Sequence, residues 1–250
     1  MKSIKRQPSK SSVLQQIKDW HIPVESIIDV GIHHATSDLM QAFPNLKHQL
    51  FEPVDDHFEQ IEANYRAAGI DYELNKVAVS NEDGFANLKV SSIHDDDVVT
   101  HSGLTADADD TGVLRRVPTV KLDSFIAQNR IENPYLVKLD VDGAEELILE
   151  GATHALKECS ILIVESTRTQ MFKRMEIALN AGFELLDIVD LCYHRGFLWQ
   201  VDLVFVNPNY VSAEFRDATT RIDSLDDWSS LKLKRPPFIE RKLKKIFKTN

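Results

Sequence analysis

Residues 138–151 read KLDVDGAEELILEG, and their carboxylates are spaced for chemistry: Asp140, Asp142 and Glu145 fall within six positions. Acids crowded this closely raise one another's proton affinity unless a cation or a hydrogen-bond donor sits between them. A raised pKa suits a group that moves protons near neutrality. The apolar run 135–137 continues through Leu139 and Val141 with acids in alternation. Gly143 breaks that pattern, and Ala144, Leu147 and Ile148 begin a helical one. A buried strand that ends in acids and turns through glycine into a helix is how open α/β sheets build ligand sites beyond their carboxyl ends. The plainer alternative is a helix start, where Asp and Glu complement the positive end of the helix dipole.

A second constellation lies upstream. SIIDV (26–30) reads as a buried strand followed by Gly31, and LKHQLFEP (46–53) as a second strand ending at Glu52 and stopped by Pro53. An acid about 20 residues beyond the first glycine, at the end of the second strand, is placed to hold the hydroxyls of a nucleoside ribose. The glycine lets backbone approach a ligand. The turn lacks the G-x-G-x-x-G that carries a pyrophosphate, which weakens a dehydrogenase reading of the same crevice.

These groups need a scaffold of alternating strands and helices. A short helix capped by Ser11 or Ser12 covers SVLQQIKDW, and helices are expected over 35–43 and 54–68. YELNKVAVS (72–80) reads as a third strand, FANLKV as a hairpin-like strand after Asp83-Gly84, and VPTVKL (117–122) as another before a helix capped by Asp123. CSILIVES (159–166) is a buried strand ending in Glu165, and a helix over 167–181 closes near Gly182. FELLDIVD and FLWQVDLVFVNP, joined through LCYHRG, suit an antiparallel pair at a sheet edge. The expected fold class is therefore α/β, a single doubly wound, Rossmann-like, mostly parallel sheet with an antiparallel edge hairpin.

Residues 91–112 hold six aspartates with His94 and His101 and read as one long polar loop, a mobile lid over the site. Its HDDD lacks the periodicity of a metal loop, and the sequence assigns no metal ligands. His33 and His34 read as helix-start packing.

A chain of 250 residues that is 43% hydrophobic can bury one core. The expected organisation is a basic segment and short helix over 1–20, a catalytic domain over 21–208 and an extension over 209–250. Cys159 and Cys192 lie in apolar, strand-like surroundings and read as reduced core residues of a cytoplasmic protein. Charge is segregated. Residues 1–10 hold four basic groups and no acid, and 231–250 hold eight basic groups and one acid, so 11–230 carry 17 basic against 38 acidic residues. A body at −21 repels nucleic acid, so no nucleic-acid partner is expected. After Pro236-Pro237, Ile239, Leu243, Ile246 and Phe247 form an apolar stripe among lysines and arginines. A basic amphipathic helix of this kind reads as a peripheral membrane contact, with packing on the acidic body as the alternative.

Taken together, KLDVDGAEELILEGA, IIDVG (27–31), FEP (51–53), AVSNEDG (78–84), VKLDSF (120–125) and ILIVE (161–165) resemble the FkbM family of S-adenosylmethionine-dependent methyltransferases. The resemblance covers about residues 20–208. It implies a seven-stranded class I methyltransferase sheet of strand order 3-2-1-4-5-7-6, S-adenosyl-L-methionine as cofactor, and O-methylation of a hydroxyl on a sugar, glycolipid or related small molecule. By resemblance Asp29, Gly31, His33, Glu52, Asn75, Val77 and Asp140 hold the cofactor, and Asp142, Glu145 and Glu165 orient or deprotonate the acceptor. One departure stands out: the family's first motif carries a small amide and a second glycine, where this chain has DVGIHHA with His33 and Ala35. That departure motivates the rival reading of a degenerate methyltransferase fold that binds without turnover.

Overall fold

The computed structural model describes residues 7–91, 101–105 and 113–221. Residues Pro8–Thr220 form one compact unit. In chain order the unit contains α1 (Lys10–Asp19), β1 (Ser26–Val30), α2 (Ser37–Ala42), β2 (Lys47–Phe51) and a 3-10 turn at Asp55–His57. Then come α3 (Phe58–Ala68), β3 (Tyr72–Asn75), β4 (Ala78–Val79), β5 (Gly84–Ser91), β6 (His101–Thr105) and β7 (Val113–Val120). The second half holds α4 (Leu122–Gln128), β8 (Tyr135–Leu139), α5 (Glu145–Glu150), β9 (Cys159–Thr167), α6 (Met171–Asn180), β10 (Glu184–His194), β11 (Phe197–Val206) and α7 (Ala213–Thr220).

Seven strands make the main sheet in the order β3-β2-β1-β8-β9-β11-β10. The five from β3 to β9 run parallel, and β11 and β10 close the edge antiparallel. This is the expected fold class and the expected order. Strands without a polar face explain why it was legible: alternate residues of one strand enter different cores. Ile28, Val137, Leu162 and Val164 pack with Leu122, Phe125, Ile148 and Ala178 of α4, α5 and α6. Ile27, Leu136, Ile161 and Ile163 pack with Val13, Leu14 and Ile17 of α1, Leu39 of α2 and Phe215 of α7. Burial on both faces selects near-continuous apolar runs.

Several local expectations are corrected. Ser9, not Ser11 or Ser12, caps α1, its hydroxyl accepting from the Ser12 amide at 3.3 Å. Asp123 does not cap α4, which begins at Leu122; its carboxylate instead accepts from the His154 and Ala155 amides at 2.9 and 2.8 Å. The stretch 72–80 is two strands, β3 in the main sheet and β4 in a second sheet of order β4-β7-β5-β6. Residues 91–112 are not one unbroken loop, because His101–Thr105 pairs antiparallel with β5; residues 92–100 and 106–112 lie outside the described residues, as does the predicted helix after Pro237. The edge hairpin carries its strands through 191–194, and only Arg195 and Gly196 turn the chain, both in the left-handed region. Cys159 is buried, but Cys192 is exposed. Among the described residues no helix is long and apolar enough to cross a membrane.

Candidate active site

Because β2 and β3 lie to one side of β1 while β8 and β9 lie to the other, the sheet has its topological switch point between β1 and β8, and a crevice lies beyond their carboxyl ends. A cavity of about 640 Å³ occupies it, lined by the ends of β1 (Val30), β2 (Phe51) and β8 (through Asp140), and by Glu165 of β9. The second sheet supplies Val79 and Leu88, and Val77 joins them in an apolar wall with Phe51.

Two glycines let the backbone pack this closely. Gly31 has a φ of +79°, and a Cβ there would lie 1.8 Å from the Asp140 carbonyl oxygen. The glycine therefore lets the end of β1 press against the end of β8, and the close approach is to backbone. A Cβ on Gly151 would lie 2.4 Å from the Ser80 carbonyl, so the glycine that ends α5 seats the turn after β4.

The acids sort by environment. Lys138 is buried, with Nζ 2.9 Å from Asp140 and 3.5 Å from Asp29. Burial works to raise the Asp140 pKa, but the Lys138 ammonium outweighs it and holds the carboxyl below its usual range. Glu165 shows the reverse: burial, then the neighbouring Asp140 charge, pushes its pKa up to about 9. A raised carboxyl pKa is what the crowding of acids in the sequence predicts, and it favours the protonated form at neutral pH. Gln200 donates to its carboxyl and Arg174 donates to its carbonyl at 2.6 Å. Lys10 also lines the cavity, paired with Asp202 at 2.6 Å and Asp190 at 3.5 Å.

Glu145 sits elsewhere. It is wholly buried, accepts from the Val141 and Gly143 amides at 3.2 and 3.0 Å, and pairs with Arg174 at 2.6 Å. Its place in catalysis is corrected to that of a clamp on the turn that carries Asp142. That turn puts Asp142 in the left-handed region at a φ of +54° and on the cavity wall. Asp tolerates this conformation better than most residues, and strained backbone collects at functional sites.

Glu52 closes the other end. Its oxygens accept from the His33 amide at 3.0 Å and the Val54 amide at 2.9 Å, and His57 Nδ1 lies 3.6 Å away. His33, His34 and His57 cluster beside it, tilted or edge-on to one another, with ring centroids 3.8 to 5.0 Å apart. Burial and the two neighbouring rings lower the His34 pKa. Helix-start packing does not describe this arrangement, because the rings meet one another on the cavity wall.

Of the residues named from sequence, the fold brings Gly31, His33, Glu52, Val77, Asp140, Asp142 and Glu165 to one cavity. Two cofactor assignments are corrected. Asp29 is fully buried beneath the floor beside Lys138, and Asn75 turns aside to donate to Gln49 and to the Leu50 carbonyl at 3.2 Å. Lys10, His57 and Gln200 were missed. Nothing near Lys10 or Gln200 in the chain signals a site, but Asp202, an acid within the apolar run of β11, does signal a buried partner.

A model of the methyltransferase FkbM domain matches residues 29–198. The chain belongs to the FkbM methyltransferase family. The methyl donor of this family is S-adenosylmethionine, and the cavity suits it. Its volume is that of a cofactor site, with an apolar wall for a purine and a strand-end carboxylate for a ribose. No curated protein matches the chain. Among solved structures, this FkbM chain is similar to a precorrin-6y C5,15-methyltransferase from Geobacter metallireducens, at 12% identity and a TM-score of 0.47 over 82% of this chain and 90% of that one. It is also similar to magnesium protoporphyrin IX methyltransferase from Synechocystis with bound S-adenosylmethionine, at 12% identity and a TM-score of 0.46 over 79% and 77% of the chains. TrmK from M. capricolum with S-adenosylhomocysteine matches at 12% identity and a TM-score of 0.45 over 80% and 70%. Similarities this distant carry nothing about the acceptor.

Proposed function

We propose that this FkbM protein is an O-methyltransferase whose acceptor is a hydroxyl of a sugar, glycolipid or related small molecule. The observation that supports this reading is the trio on the cavity floor: an ionised Asp140, a protonated Glu165 and the amide of Gln200. Together they present acceptors and donors to neighbouring hydroxyls, as a polyol requires. The acidic body disfavours a polyanionic acceptor such as nucleic acid.

S-adenosylmethionine supplies a methyl carbon activated on a sulfonium. Glu52 would hold its ribose hydroxyls, because each carboxylate oxygen has a second lone pair beyond the one taken by backbone. Val77, Val79 and Leu88 would flank the base. Lys138 keeps Asp140 ionised as a hydroxyl acceptor, and the Glu165 carboxyl gives its proton's hydrogen bond to Asp140. Asp142, on the turn held by the Glu145 clamp, would take the acceptor's hydroxyl proton as the methyl group passes from sulfur to oxygen.

The full chain, incubated with methyl-labelled S-adenosylmethionine and panels of glycans and glycolipids, tests this. The expected product is a methyl ether with one S-adenosylhomocysteine released per label transferred. Asp142→Asn is expected to lower kcat by about 100-fold or more with cofactor affinity unchanged. Cofactor binding with no turnover on any panel supports the binding-module reading instead. Label on nitrogen or carbon removes the O-methyl assignment.

A further inference from the structure

We propose that His33, His34 and His57 form a binding site for a late first-row divalent cation of the zinc class. The inference stands on the histidine geometry and does not require the methyl-transfer reading. No regular ligand spacing marks it in the chain. The turn after β1 delivers His33 and His34, the 3-10 turn after β2 delivers His57, and packing of the two turns makes the cluster.

One ligand atom from each ring lies within 4.8 Å of the others. A tetrahedral zinc with Zn–N bonds of about 2.0–2.1 Å places its ligand nitrogens roughly 3.4 Å apart. His33 and His34 reach solvent, so their rings have room to turn towards an ion. His57 is buried and supplies the fixed point. Its Nδ1 lies 3.6 Å from Glu52 Oε1. A carboxylate behind the outer ring nitrogen is how metal-binding histidines are oriented.

The backbone of each ligand is pinned. The His33 amide donates to Glu52 at 3.0 Å, Asn64 donates to the His34 carbonyl at 3.0 Å, and the His57 amide donates to the Val54 carbonyl at 3.2 Å. Arg115 of β7 grips Asp55 and Asp56, the other two residues of the turn that ends at His57. Three imidazoles select zinc, cobalt, nickel or copper over magnesium and calcium, which require oxygen ligands. All three residues line the cavity, so the fourth position faces it and is open to water or to a hydroxyl.

The test uses the full chain, prepared without a polyhistidine tag and titrated with Co²⁺, with Zn²⁺ then added to displace it. One equivalent of cobalt with the intense visible bands of four-coordination, displaced by zinc, is expected. His33→Gln and His34→Gln are each expected to weaken binding at least tenfold, while His154→Gln, on an exposed turn away from the cavity, leaves it unchanged. His57→Gln is expected to abolish binding; should it fail to fold, the two solvent-reaching variants carry the test. No binding, a six-coordinate cobalt spectrum, or affinity equal to the parent's in either His33→Gln or His34→Gln overturns the proposal.

Discussion

Asp140 and Glu165 bear the same functional group in the same cavity, and their surroundings give them opposite protonation states. Lys138 supplies a cation to one, and burial with that neighbour's charge keeps the proton on the other. The Glu165 pKa moves from 4.5 to about 9. Across that window the folded chain keeps a proton that the unfolded chain has lost. The stabilisation linked to this group is thus complete below the lower value and lost as pH rises towards the upper one. Glu165→Gln, a permanent neutral donor, is expected to lose this dependence. Its denaturant stability should gain on the parent's between about pH 5 and about pH 9. A difference constant with pH would mean that the folded protein holds Glu165 ionised. At the other end of the cavity, Glu52→Gln keeps the shape but gives up charge-assisted bonds. Cofactor affinity is expected to fall by about 2 kcal/mol, close to 30-fold, in calorimetric titration. An unchanged dissociation constant in a folded variant removes Glu52 from the site.

At the scale of elements, the site depends on contacts between segments far apart in the chain. α1 carries Lys10 across the sheet edge to Asp190 and Asp202. Asp202 is buried, so Lys10→Met strands a charge and is expected to cost about 3–5 kcal/mol in denaturant unfolding. Adding Asp202→Asn should recover most of that loss; a double variant no better than the single would show that the pair is not coupled. Gly151 joins α5 to the turn after β4 at a distance that admits no Cβ. Gly151→Ala must push Ser80 and Asn81 away, at about 1–3 kcal/mol, read as a lower thermal midpoint. Because β4 carries part of the cavity wall, cofactor affinity is expected to fall with it.

Over the whole molecule, charge is divided between an acidic body and basic ends. The stripe of Ile239, Leu243, Ile246 and Phe247 lies outside the described residues, and its partner is a matter for experiment. Vesicle co-sedimentation of the intact chain against one ending at Lys234 compares the two readings. A membrane contact is expected to carry only the intact chain down with anionic lipid, less so as salt rises, at about 1 kcal/mol per basic residue near the surface. Both forms remaining in solution at low salt would leave packing on the acidic body as the reading.

The strands and most helices were legible because their signal is local. β1, β8 and β9 are buried on both faces and read as near-continuous apolar runs, and Gly182 marks a helix end that the sequence shows directly. The strand-end positions of Glu52 and Asp140 followed from those runs, whereas β9 continues past Glu165 to Thr167. The sequence also carried the family resemblance, and with it the strand order, which periodicity alone does not contain. Tertiary structure decided which carboxylates reach the cavity, since a side chain's direction at a strand end depends on its neighbours. It turned Asp29 under the floor, locked Glu145 onto Arg174, and set Asp140 and Glu165 to opposite charge states. It also brought His57 to His33 and His34, and Lys10 to the far edge of the sheet. Such meetings between distant segments leave no trace in spacing, because they are fixed by the packing of whole elements on one another.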